Sequence, residues 1–196
     1  MVDYLTHYYS SDLGPFQTLS SLPDEEALAI MEALYDDTPF GLRFKDPIQY
    51  LQDRQDTERW VRAEFIAKGG QPLASYPISM VLGFSPWVQS IAPNPALHAE
   101  IRIPLSILTV YDVSFTYPDS MISRWLSREK PEPYYQPELH GRVFTLPEIL
   151  ALVAVKGMPE IEWQSNLPDD EAPYIEAQVW NHQLLADYWA AHKAGK

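Results

Sequence analysis

The chain has 196 residues, no cysteine, 14 basic and 27 acidic side chains, and a net charge of −13. That length suits one domain over 1–196, and the sign of the charge repels nucleic-acid backbones and anionic membrane surfaces. Without cysteine there is no disulfide framework, no thiolate nucleophile and no Cys-bearing zinc or iron–sulfur centre. No apolar run approaches the length of a membrane span, and Met1-Val2-Asp3-Tyr4 lacks the basic and apolar regions of a signal peptide. A cytoplasmic protein is therefore expected. Proline is frequent, at 18, and glycine scarce, at 8, so turns rest on fixed φ angles and few backbone loops suit phosphate groups.

Helix signals dominate the first third. Pro23-Asp24-Glu25-Glu26 sets proline and three acids in a first turn, where the helix dipole favours them. Leu28, Met31, Leu34 and Tyr35 follow at helical spacing as its apolar stripe. Asp46-Pro47 starts a second helix through Ile48, Tyr50 and Leu51. Asp56-Thr57-Glu58 starts a third, through Trp60, Val61, Phe65 and Ile66, which Gly69-Gly70 stops.

The middle of the chain reads as strands. Tyr76–Leu82 is short and apolar. His98–Ile103 alternates polar and apolar residues, the pattern of a strand with one wet face, and Tyr111–Tyr117 repeats it. Asp119-Ser120 caps a short helix through Met121, Ile122 and Trp125. Prolines around Tyr134 and Tyr135 mark an extended loop, Thr145-Leu146-Pro147-Glu148 opens a helix ending at Gly157, Tyr174–Trp180 reads as a strand, and Leu184–Ala191 as a terminal helix. The order predicts an α+β fold, a central mixed or antiparallel sheet flanked by helices.

Familiar catalytic patterns are missing. The five histidines, at 7, 98, 140, 182 and 192, include no pair at i, i+4 and no His-Glu-x-x-His, so no metal dependence is expected. His98 and Glu100 would be the first suspects for a cation, yet their pattern fits a solvent-facing row. Gly83-Phe84-Ser85-Pro86 has proline where a nucleophile elbow enters its helix. The acid pairs Asp36-Asp37 and Asp169-Asp170 read as surface turns.

The two ends of the chain carry a resemblance. Tyr4-Leu5-Thr6-His7-Tyr8-Tyr9-Ser10 and Tyr174-Ile175-Glu176-Ala177-Gln178-Val179-Trp180 resemble the first and the glutamate-bearing strands of ADP-ribosyltransferase-like proteins. The resemblance implies NAD as substrate. It gives His7, with Tyr8 beside it, to a ribose, and Tyr111 or Tyr117 to stacking on nicotinamide. Glu176 then stabilises the charge that develops as the N-glycosidic bond breaks. Arg43 and Arg142, beside Lys45 and Arg102, are the cations left to hold a pyrophosphate. Through Tyr117-Pro118-Asp119-Ser120-Met121 and Tyr174–His182 the whole chain is also similar to a bacterial family of conserved hypothetical proteins, a likeness that brings no chemistry. The competing expectation is a non-enzymatic interaction module that uses exposed Tyr and Trp side chains as anchors on a protein partner.

Overall fold

A computed structural model describes residues 2–38, 40–90, 98–159, 163 and 173–194. Among the described residues six strands form one sheet: β1 (Tyr4–Ser10), β2 (Ile78–Leu82), β3 (His98–Pro104), β4 (Val113–Thr116), β5 (Phe144–Thr145) and β6 (Glu176–Val179). They lie in the order β3-β1-β2-β6-β4-β5, and every neighbouring pair is antiparallel. The helices among the described residues are α1 (Asp24–Leu34), α2 (Pro47–Ala67), α3 (Pro86–Ser90), α4 (Ser120–Glu129), α5 (Leu146–Lys156) and α6 (His182–Ala194). The fold is α+β, with a purely antiparallel sheet. None of these helices is long and apolar enough to cross a membrane.

Strand alternation divides the sheet into two unlike faces. Leu5, Ile78, Met80, Leu82, Ile101, Ile103, Val113, Phe115, Ala177 and Val179 share one face, packed against Leu150 and Val153 of α5 and Leu184, Tyr188 and Trp189 of α6. Each such side chain, once buried, contributes roughly 1.5–3 kcal/mol. The expected inward residues Ile101, Ile103, Val113 and Phe115 are all in this core.

The opposite face corrects two expectations. The predicted second and third helices are one 21-residue helix, α2. Its N-cap Asp46 accepts the Gln49 N–H, and nothing from Gln49 to Arg59 breaks a helix, while Arg54–Glu58 and Arg59–Asp56 pairs tie successive turns. Helix α2 ends where Gly69 adopts φ +92° and Gly70 lies so close to the Phe65 ring that a Cβ would stand 2.5 Å from it. The second correction concerns the polar residues of β4. Ser114 and Thr116 are fully buried, not wet, because α2 covers their side of the sheet. At the β3 edge the row is solvent-facing: Glu100 and Arg102 are exposed, and the side chain of His98 lies outside the described residues. Asp169-Asp170 lies outside them as well.

Candidate functional site

Pairing of β4 with β6 sets Ser114 opposite Gln178 and Thr116 opposite Glu176 on the covered polar face. A one-way chain of hydrogen bonds results. The Trp180 indole N–H donates to Ser114 Oγ at 2.9 Å, and Ser114 donates to Gln178 Oε1 at 3.0 Å. Gln178 Nε2 donates to Thr116 Oγ1 at 2.8 Å and to Glu176 Oε2 at 3.1 Å, while Thr116 reaches the same oxygen at 3.4 Å. An indole can only donate and a carboxylate can only accept, so the two ends fix the direction and hold the Gln178 amide in one orientation. The first backbone N–H of α4, at Ser120, closes the chain on Glu176 Oε2 at 2.6 Å and brings the positive end of the helix dipole with it. Among the described residues no hydrogen bond is made to Glu176 Oε1.

Helix α2 is the roof of this site. Leu51, Arg54, Glu58, Val61 and Phe65 follow one another at three and four residues, a single stripe whose middle carries two charges. Val61 and Phe65 pack with Trp180 and Val143. Glu58, 3% exposed, takes Arg54 Nε on Oε1 at 3.0 Å, and its Oε2 is buried with no hydrogen-bond partner among the described residues. Burial raises the Glu58 pKa and the Glu176 carboxylate pushes the same way, against Arg54 and Ser20. Burial works against the charge of Arg54, yet Glu58, Tyr50 and Glu176 around it raise its pKa above the ordinary value.

At the mouth stands half-buried Asp119, the N-cap of α4, whose Oδ1 accepts the Ile122 N–H at 3.0 Å. Desolvation and the neighbouring Glu176 carboxylate push its pKa up to about 6, against the pull of the capping N–H and of Arg43. Tyr174 is shifted well above the usual phenol range, by burial and by Asp119 and Glu176, and its ring stacks on Trp87. Arg43, exposed beside Phe40 with 4.3 Å between guanidinium and ring centre, is the outermost charge. Arg43 is exposed, Asp119 and Arg54 are half-buried, and Glu176 and Glu58 are buried.

Of the residues singled out by resemblance, Glu176 and Arg43 come into this region and the others stand elsewhere. His7 is on the apolar face, separated from β6 by β2, so it and Glu176 point to opposite sides of the sheet. Both of its nitrogens are used: Nδ1 donates to Ser79 O at 3.1 Å, and Nε2 accepts the Phe16 N–H at 2.9 Å. Its ring stacks between Tyr9 and Phe16. Tyr8 shares the side of Glu176, but its hydroxyl is engaged with the backbone of Ser85. Tyr117 is fully buried in the apolar core against Trp163 and His140, whereas Tyr111 is exposed in the turn before β4. Arg142 lies over Phe144 at the β5 edge.

Glu58, Arg54 and Asp119 escaped the sequence reading as site residues. The signal was there: two charges occupy stripe positions of α2 where a buried helix face carries apolar residues. Dividing the helix at Asp56 hides it, because the stripe then falls on two separate elements. Chemically the site offers a held carboxylate with one open oxygen, a second buried carboxylate with an unpartnered oxygen, and a proton acceptor with a pKa near neutrality. Among the described residues no three His, Cys, Asp or Glu side chains are grouped so as to hold a metal ion. The chain matches no protein-family model, no curated protein and no solved structure.

Proposed function

We propose that the chain is a cytoplasmic enzyme that cleaves an N-glycosidic bond, with NAD as substrate, at the Asp119–Glu176 pair on the polar face of the sheet. The observation that carries this reading is the pair itself: two adjacent carboxyl groups whose surroundings differ, one held by three donors at a helix N-terminus and one raised to about 6. In the reaction the bond from the ribose carbon to nicotinamide breaks, and its electron pair goes to the ring nitrogen. Glu176 faces the oxocarbenium-like charge left behind, and water adds to that carbon while Asp119 takes its proton. Arg43, the exposed cation at the mouth, pairs with the pyrophosphate. The roles differ from those implied by the ADP-ribosyltransferase resemblance, since His7 does no work on substrate here.

Nicotinamide release from NAD tests the reading. Glu176→Gln is expected to lower the rate by roughly 10²–10³ with the fold intact, the scale of losing electrostatic stabilisation of a transition state. Asp119→Asn is expected to lower it by about 10²-fold and to abolish the acid limb near pH 6 that is expected of wild type as Asp119 gains its proton. No release at millimolar NAD from folded protein would sink the enzyme. A protein-interaction module would then be the better account, favoured by Ile122 and Trp125, 37% and 52% exposed and one turn apart on α4.

A further inference from the structure

We propose that the outer edge of β3 receives a second copy of this chain, joined antiparallel so that Glu100 of each copy stands opposite Arg102 of the other. The sheet ends differently on its two sides. At one end β5 is 2 residues long, and an edge that short is blunted against further pairing. At the other end β3 has 7 residues and pairs with β1 residue for residue, from Tyr4↔Pro104 to Ser10↔His98, without a bulge. A long, regular edge presents a row of N–H and C=O groups to a further strand. Their direction follows from the register. The Leu105 N–H donates to Asp3 O at 2.8 Å, so odd-numbered residues of β3 turn their backbone groups to β1 and even-numbered ones turn outward. Tyr188 agrees from outside, its hydroxyl donating to Arg102 O at 3.0 Å, which leaves that oxygen a second lone pair. Among the described residues the N–H groups of Glu100 and Arg102 donate to no acceptor.

Charge selects both the occupant and its register. Glu100 and Arg102 are exposed on one face of the strand, 3.4 Å apart. A two-fold axis between copies has to set even-numbered residues opposite even-numbered ones, since those carry the outward backbone groups. With the axis at residue 100, Glu100 meets its own copy; with the axis at residue 102, Arg102 does. Both registers oppose like charges, which destabilises a strand pair. With the axis at Ile101, each Glu100 stands opposite an Arg102, and the four charges alternate along and across the two strands. Run antiparallel, Glu-x-Arg is its own complement, and this is what favours a second copy over another partner. The same register sets Ile101 opposite Ile101 and Ala99 opposite Ile103, so the apolar face of the sheet continues across the seam. One strand pair is a small contact between copies that each carry a net charge of −13, so a weak, concentration-dependent dimer results.

Sedimentation equilibrium of the full chain tests this, at about 0.15 M salt, where screening confines electrostatics to near neighbours. Wild type should pass from monomer to dimer as its concentration rises toward millimolar. Glu100→Arg and Arg102→Glu, both at exposed positions, should each weaken the dimer by roughly tenfold, because like charges then stand opposite twice. An equimolar mixture of the two variants should recover it, since one chain brings two cations to the edge and the other two anions. In wild type the N–H groups of Glu100 and Arg102 should gain protection from hydrogen exchange as the dimer forms. A chain that stays monomeric at millimolar concentration would overturn the proposal and leave the edge to a strand of another protein. Single variants that dimerise like wild type, a mixture no tighter than its components, or a dimer without protection at these two amides would each overturn it as well.

Discussion

His7 is held neutral, and that has a consequence at the scale of a single residue. Burial lowers its pKa from 6.5 to about 4, only partly opposed by its bond to Ser79. A base whose folded pKa is depressed contributes stability that is complete above its unfolded pKa, near 6.5, and is lost as pH falls toward about 4. The shift corresponds to about 3 kcal/mol at most. His140, also lowered to about 4 by burial, acts in the same direction. Asp119 has the opposite sign: raised from 3.8 to about 6, it contributes stability that is present below 3.8 and lost as pH rises through about 6. The histidine contribution is isolated by a variant. His7→Leu is expected to cost about 1–3 kcal/mol at pH 7.5, since Ser79 O and the Phe16 N–H lose their partner, and to lose less than wild type on going from pH 6.5 to 4.5. Calorimetric melts at both pH values give the comparison; parallel losses in the two proteins would show that folding leaves the proton affinity of His7 unchanged.

At the scale of elements, the helices were legible where a cap and a periodic stripe coincide, and misread where only one was present. Helix α5 has both: the Thr145–Glu148 capping box opens it and Gly157, at φ +79°, follows its end. In α1 the acids of the first turn placed the start, but the deepest stripe positions are Ala27 and Met31, with Leu28 and Leu34 only half-buried and Tyr35 exposed. Met31→Ala is accordingly expected to cost about 2–5 kcal/mol in a urea melt. Leu34→Ala should cost less, and Glu25→Ala should stay within about 0.5 kcal/mol of wild type. Asp56-Thr57-Glu58 looked like a helix start because an acid before Thr-Glu resembles a cap, yet inside a continuing helix the same acid pairs with Arg59. The close approach at the end of α2 gives a further check on its packing. Gly70→Ala would drive a methyl group into the Phe65 ring and is expected to cost about 1–3 kcal/mol in the same melt.

Across the whole molecule the sheet lies between two unlike layers, and that asymmetry is where sequence reading stops. Alternation in β3 and β4 predicts a sheet with one apolar face, and the apolar face is there. Whether the other face meets water or a covering helix depends on a contact between residues far apart in the chain, and Ser114 and Thr116 look the same in sequence either way. Covering a polar face has a thermodynamic cost unless every group is satisfied, and Glu58 Oε2 is not. Breaking one half of the buried pair exposes that cost: Arg54→Met should destabilise by about 3–5 kcal/mol, because Glu58 keeps its burial and loses its counter-charge. Replacing both, Arg54→Met with Glu58→Leu, extends the apolar stripe of Val61 and Phe65 toward Leu51 and should recover most of that loss, with stability equal to wild type or above it. A fold that becomes no weaker without its charges retains them for another reason, so the double variant should remain folded while losing nicotinamide release. Urea melts of the single and double variants, read beside the release assay, decide the matter: a double variant as unstable as Arg54→Met would make the pair a structural necessity, and one that is stable and still active would remove Arg54 and Glu58 from the site.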